Sequence, residues 1–361
     1  MTCDRCDQAA KDGYDYCPKC GRSLRGCEMC RTYADQGYEY CGNCGKRLKE
    51  KDDRTLEKAV FIAVPFVVAM LAIEAACMLY WFPDTLAGVK DLSLNMFLLL
   101  PSAVSLGVLT GAGLQAYWVL LVIAIVASGL VMLYQSRAIF DRRSPNYVEG
   151  ISRTSLFWIA VLFSADMVVV LVIAAIEGSL GYTIAVPDDL PMDLSPEAFL
   201  AYANAAVWEE IACRVIPIGI PMVVVAALCG KKDCVRYLLG GTGVTRVAVV
   251  LMVISAVVFG LAHESGWGAA KVVPMIFSGL MLSYLFIRFG IYASIMLHFL
   301  IDYTALMIPA VGQEIYSFIL IAVIVLGFIS VAKLAKDIRD GVRRIDRMPV
   351  WIQESSDSKR D

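Results

Sequence analysis

Long apolar runs separated by charged loops constrain this chain more than any other feature of its sequence. Of its 361 residues, 58% are hydrophobic, and the mean hydropathy is +0.65. A helix of about 20 apolar residues is long enough to cross the hydrocarbon core of a bilayer. The sequence therefore predicts an all-α polytopic membrane protein with about eight transmembrane helices. We place them at residues 59–82, 115–135, 154–176, 198–229, 245–263, 270–288, 291–309 and 314–335.

The segment 92–112 is also apolar, but Pro101 and several glycines interrupt it. We expect it to be interfacial or re-entrant rather than a ninth span, because an odd number of spans would break the charge alternation of the loops. Loops 136–153 and 230–246 are rich in Lys and Arg, whereas loop 177–197 has five acids and no Lys or Arg. The positive-inside rule then predicts a multi-pass protein of the cell membrane with both termini in the cytoplasm.

The N-terminal segment contains a tandem repeat, in which residues 3–26 and 27–50 share one cysteine pattern. Each repeat has two Cys-x2-Cys pairs separated by ten residues, a spacing that suits one tetrahedral structural zinc. The segment resembles a tandem zinc ribbon, with a disulfide framework as the alternative in an oxidising compartment. The predicted ligands of the two zinc ions are Cys3, Cys6, Cys17, Cys20, Cys27, Cys30, Cys41 and Cys44.

These observations divide the chain into five parts. Zinc ribbon 1 covers residues 1–26 and zinc ribbon 2 covers 27–50, followed by a charged linker at 51–58. The transmembrane domain covers 59–335, and a charged cytoplasmic tail covers 336–361. A closed four-cysteine site has no open coordination position, so we expect the ribbons to bind a protein partner, fix the membrane edge or sense metal. The net charge of −2 gives no reason to expect a nucleic acid partner.

Both histidines of the chain, His263 and His298, lie in apolar runs, and Glu209, Glu210 and Arg214 interrupt another run. Ionisable groups inside a membrane cost about 2.5–3.5 kcal/mol each on insertion scales. A chain that places such groups on three spans is expected to gather them into one polar site inside the helix bundle.

The spacing of these residues predicts how they meet. Glu210 and Arg214 are four residues apart and share a helical face, so they can form an ion pair, whereas Glu209 points elsewhere. His298 and Asp302 are also four residues apart, and Phe259 lies one turn before His263. For Glu210 and Arg214 the alternative interpretation is a purely structural ion pair. For Phe259 the alternative is side-chain packing.

A carboxylate and two imidazoles around a water can form a general-base site. Two histidines and a glutamate are also a catalytic zinc set. The residue types alone do not decide between these two kinds of chemistry, so both a metal-free site and a catalytic metal site agree with the sequence.

The motifs EExxxR at 209–214, FxxxH at 259–263 and HxxxD at 298–302 resemble the signature of the CAAX protease and bacteriocin-processing family of intramembrane endopeptidases. The resemblance covers about residues 150–310, leaves out the ribbons, and implies an eight-helix membrane protease fold. It implies that Glu209 is the general base and that Glu210 and Arg214 support it. His263 would activate or position the water, and His298 with Asp302 would stabilise the oxyanion. The last motif position is often Asn in the family, whereas this chain has Asp302.

The leading hypothesis is therefore an intramembrane peptidase that acts on membrane-associated substrates, of which lipidated CAAX-type peptides are one class. Its expected partners are membrane lipid and a peptide or protein substrate. The alternatives are a non-catalytic membrane scaffold or immunity-type protein, whose ribbons recruit partners, and a metal or ion transporter.

Overall fold

The computed structural model describes residues 8–9, 17, 19, 29–35, 41, 43, 55–100, 102–140, 147–185, 187, 191, 193–231, 233–343 and 349–350. The chain divides into two compact units, Met1–Thr55 and Leu56–Asp361. In the first unit the structure describes the seven-residue helix Met29–Asp35, and residues 8–9 are helical as well. Cys17 and Cys41, which occupy equivalent positions of the two repeats, are both buried. Five of the eight predicted zinc ligands lie outside the described residues: Cys3, Cys6, Cys20, Cys27 and Cys44.

The eight predicted spans of the second unit are confirmed. Within the described part of the chain, eight helices are long and apolar enough to cross a membrane. We number them span 1 to span 8, with the bounds Thr55–Tyr80, Gly111–Gln135, Ser155–Ser179, Pro196–Leu228, Arg246–Trp267, Ala269–Phe289, Ile291–Val311 and Gln313–Arg343. Span 8 continues as a helix through residues 336–343, at the start of the predicted tail.

Several spans contain short breaks in the helix. The helical segments that make up the interrupted spans are Thr55–Val60 and Ala63–Tyr80 in span 1, Arg246–Ala262 and Glu264–Trp267 in span 5, and Ile291–Tyr303 and Met307–Val311 in span 7. Two short helices, Phe82–Gly88 and Tyr147–Ser152, lie in the connections on either side of span 2.

Span 7 is the most buried of these eight helices, and span 8 is among the most exposed. Span 7 packs against spans 2, 3, 4 and 6, span 5 packs against span 6, and span 8 packs against span 3. The close approach of spans 3 and 8 requires Gly327, because a Cβ atom there would lie 2.2 Å from the backbone oxygen of Ser164. The Ser164 and Ser330 hydroxyls are 2.7 Å apart across the same contact. Small residues and hydroxyl pairs of this kind allow membrane helices to associate closely.

Residues 93–110 depart from the predicted all-α architecture. They form an antiparallel β-hairpin, β1 (Ser93–Leu100) and β2 (Ser102–Thr110), between spans 1 and 2. The pairing register shifts between Met96 and Phe97, which marks a β-bulge. The two strands satisfy each other's backbone groups along their shared edge, whereas an open sheet edge at membrane depth is tolerated only where protein or a water-filled cavity covers it.

Span 4 is not a regular α-helix. Its first segment, Pro196–Asn204, and its last, Ile220–Leu228, are α-helical, whereas Ala205–Glu209 and Ile211–Gly219 are π-helical. The EExxxR motif therefore lies in a wider helix than the sequence predicted, and Pro217 lies inside it. Proline removes a helical hydrogen bond, and π-helical turns occur frequently at functional sites.

Candidate active site

The centre of the candidate site is a contact between spans 4 and 7. Glu210 Oε1 lies 2.8 Å from Nδ1 of His298, and Ser294 donates its hydroxyl hydrogen bond to Glu210 Oε2. Glu210 is completely buried and His298 is 5% exposed. Because both oxygens of Glu210 have a partner on span 7, the carboxylate fixes the orientation of the His298 ring.

Arg214 provides the charge that opposes Glu210. Its Nε lies 3.4 Å from Glu210 Oε2, and both side chains are fully buried. The guanidinium carbon also lies 4.4 Å from the centre of the Phe259 ring, a cation–π contact with span 5. The predicted ion pair at this spacing is therefore present. A buried pair of this kind leaves an uncompensated charge when one partner is removed.

The other ring nitrogen of His298 faces two further acids. Its Nε2 lies 3.3 Å from Asp302 Oδ2 and 3.8 Å from Glu209 Oε2. The side chains of Glu209 and Asp302 are 25% and 21% exposed, in contrast to Glu210. His298 thus has one side held by the fully buried Glu210 and one side that faces two partly exposed acids.

His263 joins this cluster through Phe259 rather than through an acid. Its Nδ1 lies 2.8 Å from the backbone oxygen of Phe259, and the two ring centres are 4.7 Å apart. The Phe259 ring is 6.1 Å from the His298 ring and nearly perpendicular to it. Phe259 therefore contacts both histidine rings and Arg214. Because Nδ1 of His263 is engaged by its own helix, Nε2 is the nitrogen that can act on a ligand.

The donor positions do not form the two-histidine, one-glutamate set that a catalytic zinc would require. Phe259 contacts both histidine rings, and Nδ1 of His298 is engaged by Glu210. Within the described residues, no three His, Cys, Asp or Glu side chains are close enough together to hold a metal ion.

Two residues of the site were not predicted from the sequence. Ser294 lies one turn before His298, and the spacing 294, 298, 302 could have placed it on the face that carries the motif. Trp208 donates a hydrogen bond of 2.8 Å from Nε1 to the backbone oxygen of Phe97 in β1. Nothing in the sequence pairs these two residues, because the hairpin itself was not predicted.

The part of the chain that contains the candidate site is similar to a known protein family. Residues 191–304 match the family model Type II CAAX prenyl endopeptidase Rce1-like. No curated protein and no solved structure matches the chain.

The matched segment begins just before span 4 and ends in span 7, so it contains all six candidate catalytic residues. It therefore agrees with the resemblance seen in the three motifs. The cysteine repeats and the β-hairpin lie outside it. The eight apolar helices support a multi-pass membrane protein, and its segment 191–304 is similar to Rce1-like CAAX prenyl endopeptidases.

Proposed function

We propose that this protein is an intramembrane endopeptidase that hydrolyses peptide bonds of membrane-associated substrates with a water activated by Glu209. The observation that carries the proposal is the pair of unequal acids on His298. Glu210 is fully buried and bound to Nδ1, whereas Glu209 is partly exposed beside Nε2. This difference supports a division of roles in which Glu210 holds the histidine and Glu209 reacts.

In the proposed step, Glu209 accepts a proton from water as the water oxygen attacks the carbonyl carbon of the substrate. A tetrahedral oxyanion forms. Glu209 then returns the proton to the amide nitrogen as the C–N bond breaks, which leaves a carboxylic acid and an amine. General-base catalysis of this kind contributes about 10²–10⁴-fold to the rate. His263 helps to position the water through Nε2, because its Nδ1 contacts the backbone oxygen of Phe259.

His298 stabilises the oxyanion in this proposal. When both ring nitrogens carry a proton, Nδ1 donates to Glu210 and Nε2 donates to the developing negative charge. Asp302, whose Oδ2 lies 3.3 Å from Nε2, holds the ring in place on that side. Donors fixed in advance are effective because they do not reorganise during the reaction. Glu210 and Arg214 act as positioning residues, since they hold His298 and do not face the substrate.

The Rce1-like match suggests substrates with a prenylated cysteine near the C-terminus, which is the class that the family's name describes. We propose such lipidated peptides as the first class to test. Lipid would surround the spans, with both termini in the cytoplasm. The cysteine repeats would bind two structural zinc ions and a protein partner.

The test uses the full chain in lipid nanodiscs and a peptide that ends in farnesyl-cysteine, two aliphatic residues and a terminal residue. Mass spectrometry of the products identifies the bond that is broken. We expect release of a C-terminal fragment whose formation is lost in Glu209→Gln.

An unfarnesylated copy of the peptide and a panel of unrelated transmembrane peptides are run in parallel, to separate dependence on the lipid from general proteolysis. Absence of cleavage in all of these would contradict the proposed function and favour the non-catalytic scaffold. If the protein retained its full cellular function after both Glu209 and His263 were replaced, that result would also favour the non-catalytic scaffold.

A further inference from the structure

The β-hairpin has two long edges that carry backbone hydrogen-bonding groups. In the described part of the chain, β1 and β2 pair only with each other, so each strand has one edge without a neighbouring strand. The exposed edge of a strand presents N–H and C=O groups to whatever lies beside it. These groups are costly to leave unsatisfied in hydrocarbon, where water does not reach them.

The hairpin lies beside the candidate active site. Trp208, the residue before Glu209, donates from Nε1 to the backbone oxygen of Phe97 at 2.8 Å. Strand β1 also packs against the π-helical segment Ile211–Gly219 and against the helix Arg246–Ala262 of span 5. Because Trp208 lies well inside span 4, β1 runs alongside the middle of that span rather than at its end.

The hydrogen bond from Trp208 identifies an edge of β1 that is close to Glu209. Alternate residues of a strand direct their backbone groups to the same side. The N–H of Phe97 and the backbone groups of Asn95 therefore lie on the same edge as the Phe97 carbonyl. The indole N–H of Trp208 occupies the position that a backbone N–H of an added strand would take.

We propose that this edge of β1 receives the substrate as an added β-strand, which aligns the bond to be cleaved with Glu209. The proposal rests on the proposed function, since it assigns a binding mode to the same substrate. The occupant is an extended, apolar peptide segment. On binding, one of its backbone N–H groups replaces Trp208 Nε1 at the Phe97 carbonyl.

An extended substrate also suits the chemistry. In an α-helix, the carbonyl of each residue accepts a hydrogen bond within the helix, which surrounds the peptide bond with its own chain. In an edge strand, every second carbonyl points away from the partner strand and stays open to attack. The exposed side chains of Val104, Leu106 and Val108 on β2 make the hairpin an apolar surface that matches an apolar peptide. Addition of a strand to a sheet edge is a common way for proteins to bind peptides.

The first test compares Phe97→Pro with Phe97→Ala. Both remove the phenyl ring, but only proline removes the backbone N–H from the edge, and proline is tolerated at strand edges. Loss of a hydrogen bond to the substrate should raise KM for the farnesylated peptide by about tenfold in the proline variant relative to the alanine variant. The thermal midpoints of the two variants, measured in the same nanodiscs, show whether the hairpin is still folded. Equal KM values in two folded variants would overturn the proposal.

The second test changes the peptide instead of the protein. The farnesylated peptide is N-methylated at one residue at a time, and its equilibrium binding to the full-length Glu209→Gln variant is measured by fluorescence anisotropy. An added strand directs every second N–H to its partner, so binding should weaken at alternate positions and persist at those between them. Uniform sensitivity, or no binding at all, would overturn strand addition.

The two tests separate this proposal from the proposed function. Binding with an alternating pattern but no cleavage by the unmodified chain would overturn the peptidase and retain the binding mode. Cleavage that depends on Glu209, without an alternating pattern and with equal KM values for the two Phe97 variants, would retain the peptidase and overturn the binding mode.

Discussion

Nδ1 of His298 lies 2.8 Å from Oε1 of Glu210, so a residue of span 7 and a residue of span 4 share a buried hydrogen bond. This contact decides how the acids of the EExxxR motif divide their work. Glu210 faces the protein interior together with Arg214 and Ser294, and only Glu209 remains on the accessible side.

Replacing Glu210 with Gln should destabilise the protein. The substitution retains the shape of the side chain but leaves the charge of Arg214 buried without its carboxylate, which costs about 3–5 kcal/mol. Thermal unfolding in detergent should show a clearly lower midpoint than that of the unmodified chain. The double variant Glu210→Gln with Arg214→Met removes both charges and should recover part of the loss. An unchanged midpoint in the single variant would show that the pair does not stabilise the fold.

Asp302→Asn should retain most of the activity, because an amide at this position can still contact Nε2 of His298. Asp302→Ala removes the contact and should lower kcat by about tenfold or more, the effect of losing one hydrogen bond to a charged group. Steady-state cleavage of the farnesylated peptide by the two variants measures the difference. Equal loss in both would mean that the negative charge, rather than the contact, is required.

Gly327→Ala should weaken the packing of span 8 on span 3. The added Cβ would lie 2.2 Å from the Ser164 oxygen, so the helices must move apart, and overpacking of this kind costs about 1–3 kcal/mol. Gly341→Ala, on the same helix, is the matched control because its Cβ meets no atom within 4 Å. We expect a lower thermal midpoint for the first variant and no decrease for the second. A similar midpoint for both would contradict the close contact of the two spans.

The cysteine repeats should bind about two zinc ions per chain, since four thiolates suit one ion. Cys17→Ser and Cys41→Ser each change one repeat, and each should lower the zinc content by about one ion, as measured by elemental analysis of the purified full chain. Titration of the unmodified chain with a thiol reagent, before and after addition of a reductant, tests the disulfide alternative. Zinc-free protein with oxidised cysteines would contradict the zinc prediction.

The sequence was sufficient to locate the spans and the polar residues. Apolar runs must be helical to cross a bilayer, so most of their ends could be placed within a few residues, as span 7 shows (291–309 predicted, Ile291–Val311 observed). The exception is span 8, whose helix continues to Arg343 although its end was predicted at 335. The pairing of Glu210 with Arg214 followed from their spacing, although the helix there is π-helical. The contact of His298 with Asp302 also followed from their spacing, whereas its contact with Glu210 did not, because a contact between spans 4 and 7 is set by tertiary packing.

The hairpin could not be predicted for a different reason. A short apolar run broken by glycine and proline is compatible with a strand, a helix or a loop, and periodicity does not separate them. Only the pairing of Ser93–Leu100 with Ser102–Thr110 defines it. The contact of Phe97 with Trp208, and with it the proximity of the hairpin to Glu209, likewise depends on residues far apart in the chain.

Glu209 is the proposed catalytic base, and a matched pair of glutamate substitutions tests this role. Glu209→Gln and Glu264→Gln make the same chemical change, but Glu264 is exposed and lies just after His263. Cleavage of the farnesylated peptide is measured for both variants, after their thermal midpoints have been shown to be equal. We predict a decrease in kcat of at least about 10²-fold for Glu209→Gln and little change for Glu264→Gln. Cleavage by Glu209→Gln at the rate of the unmodified chain would show that Glu209 is not the catalytic base.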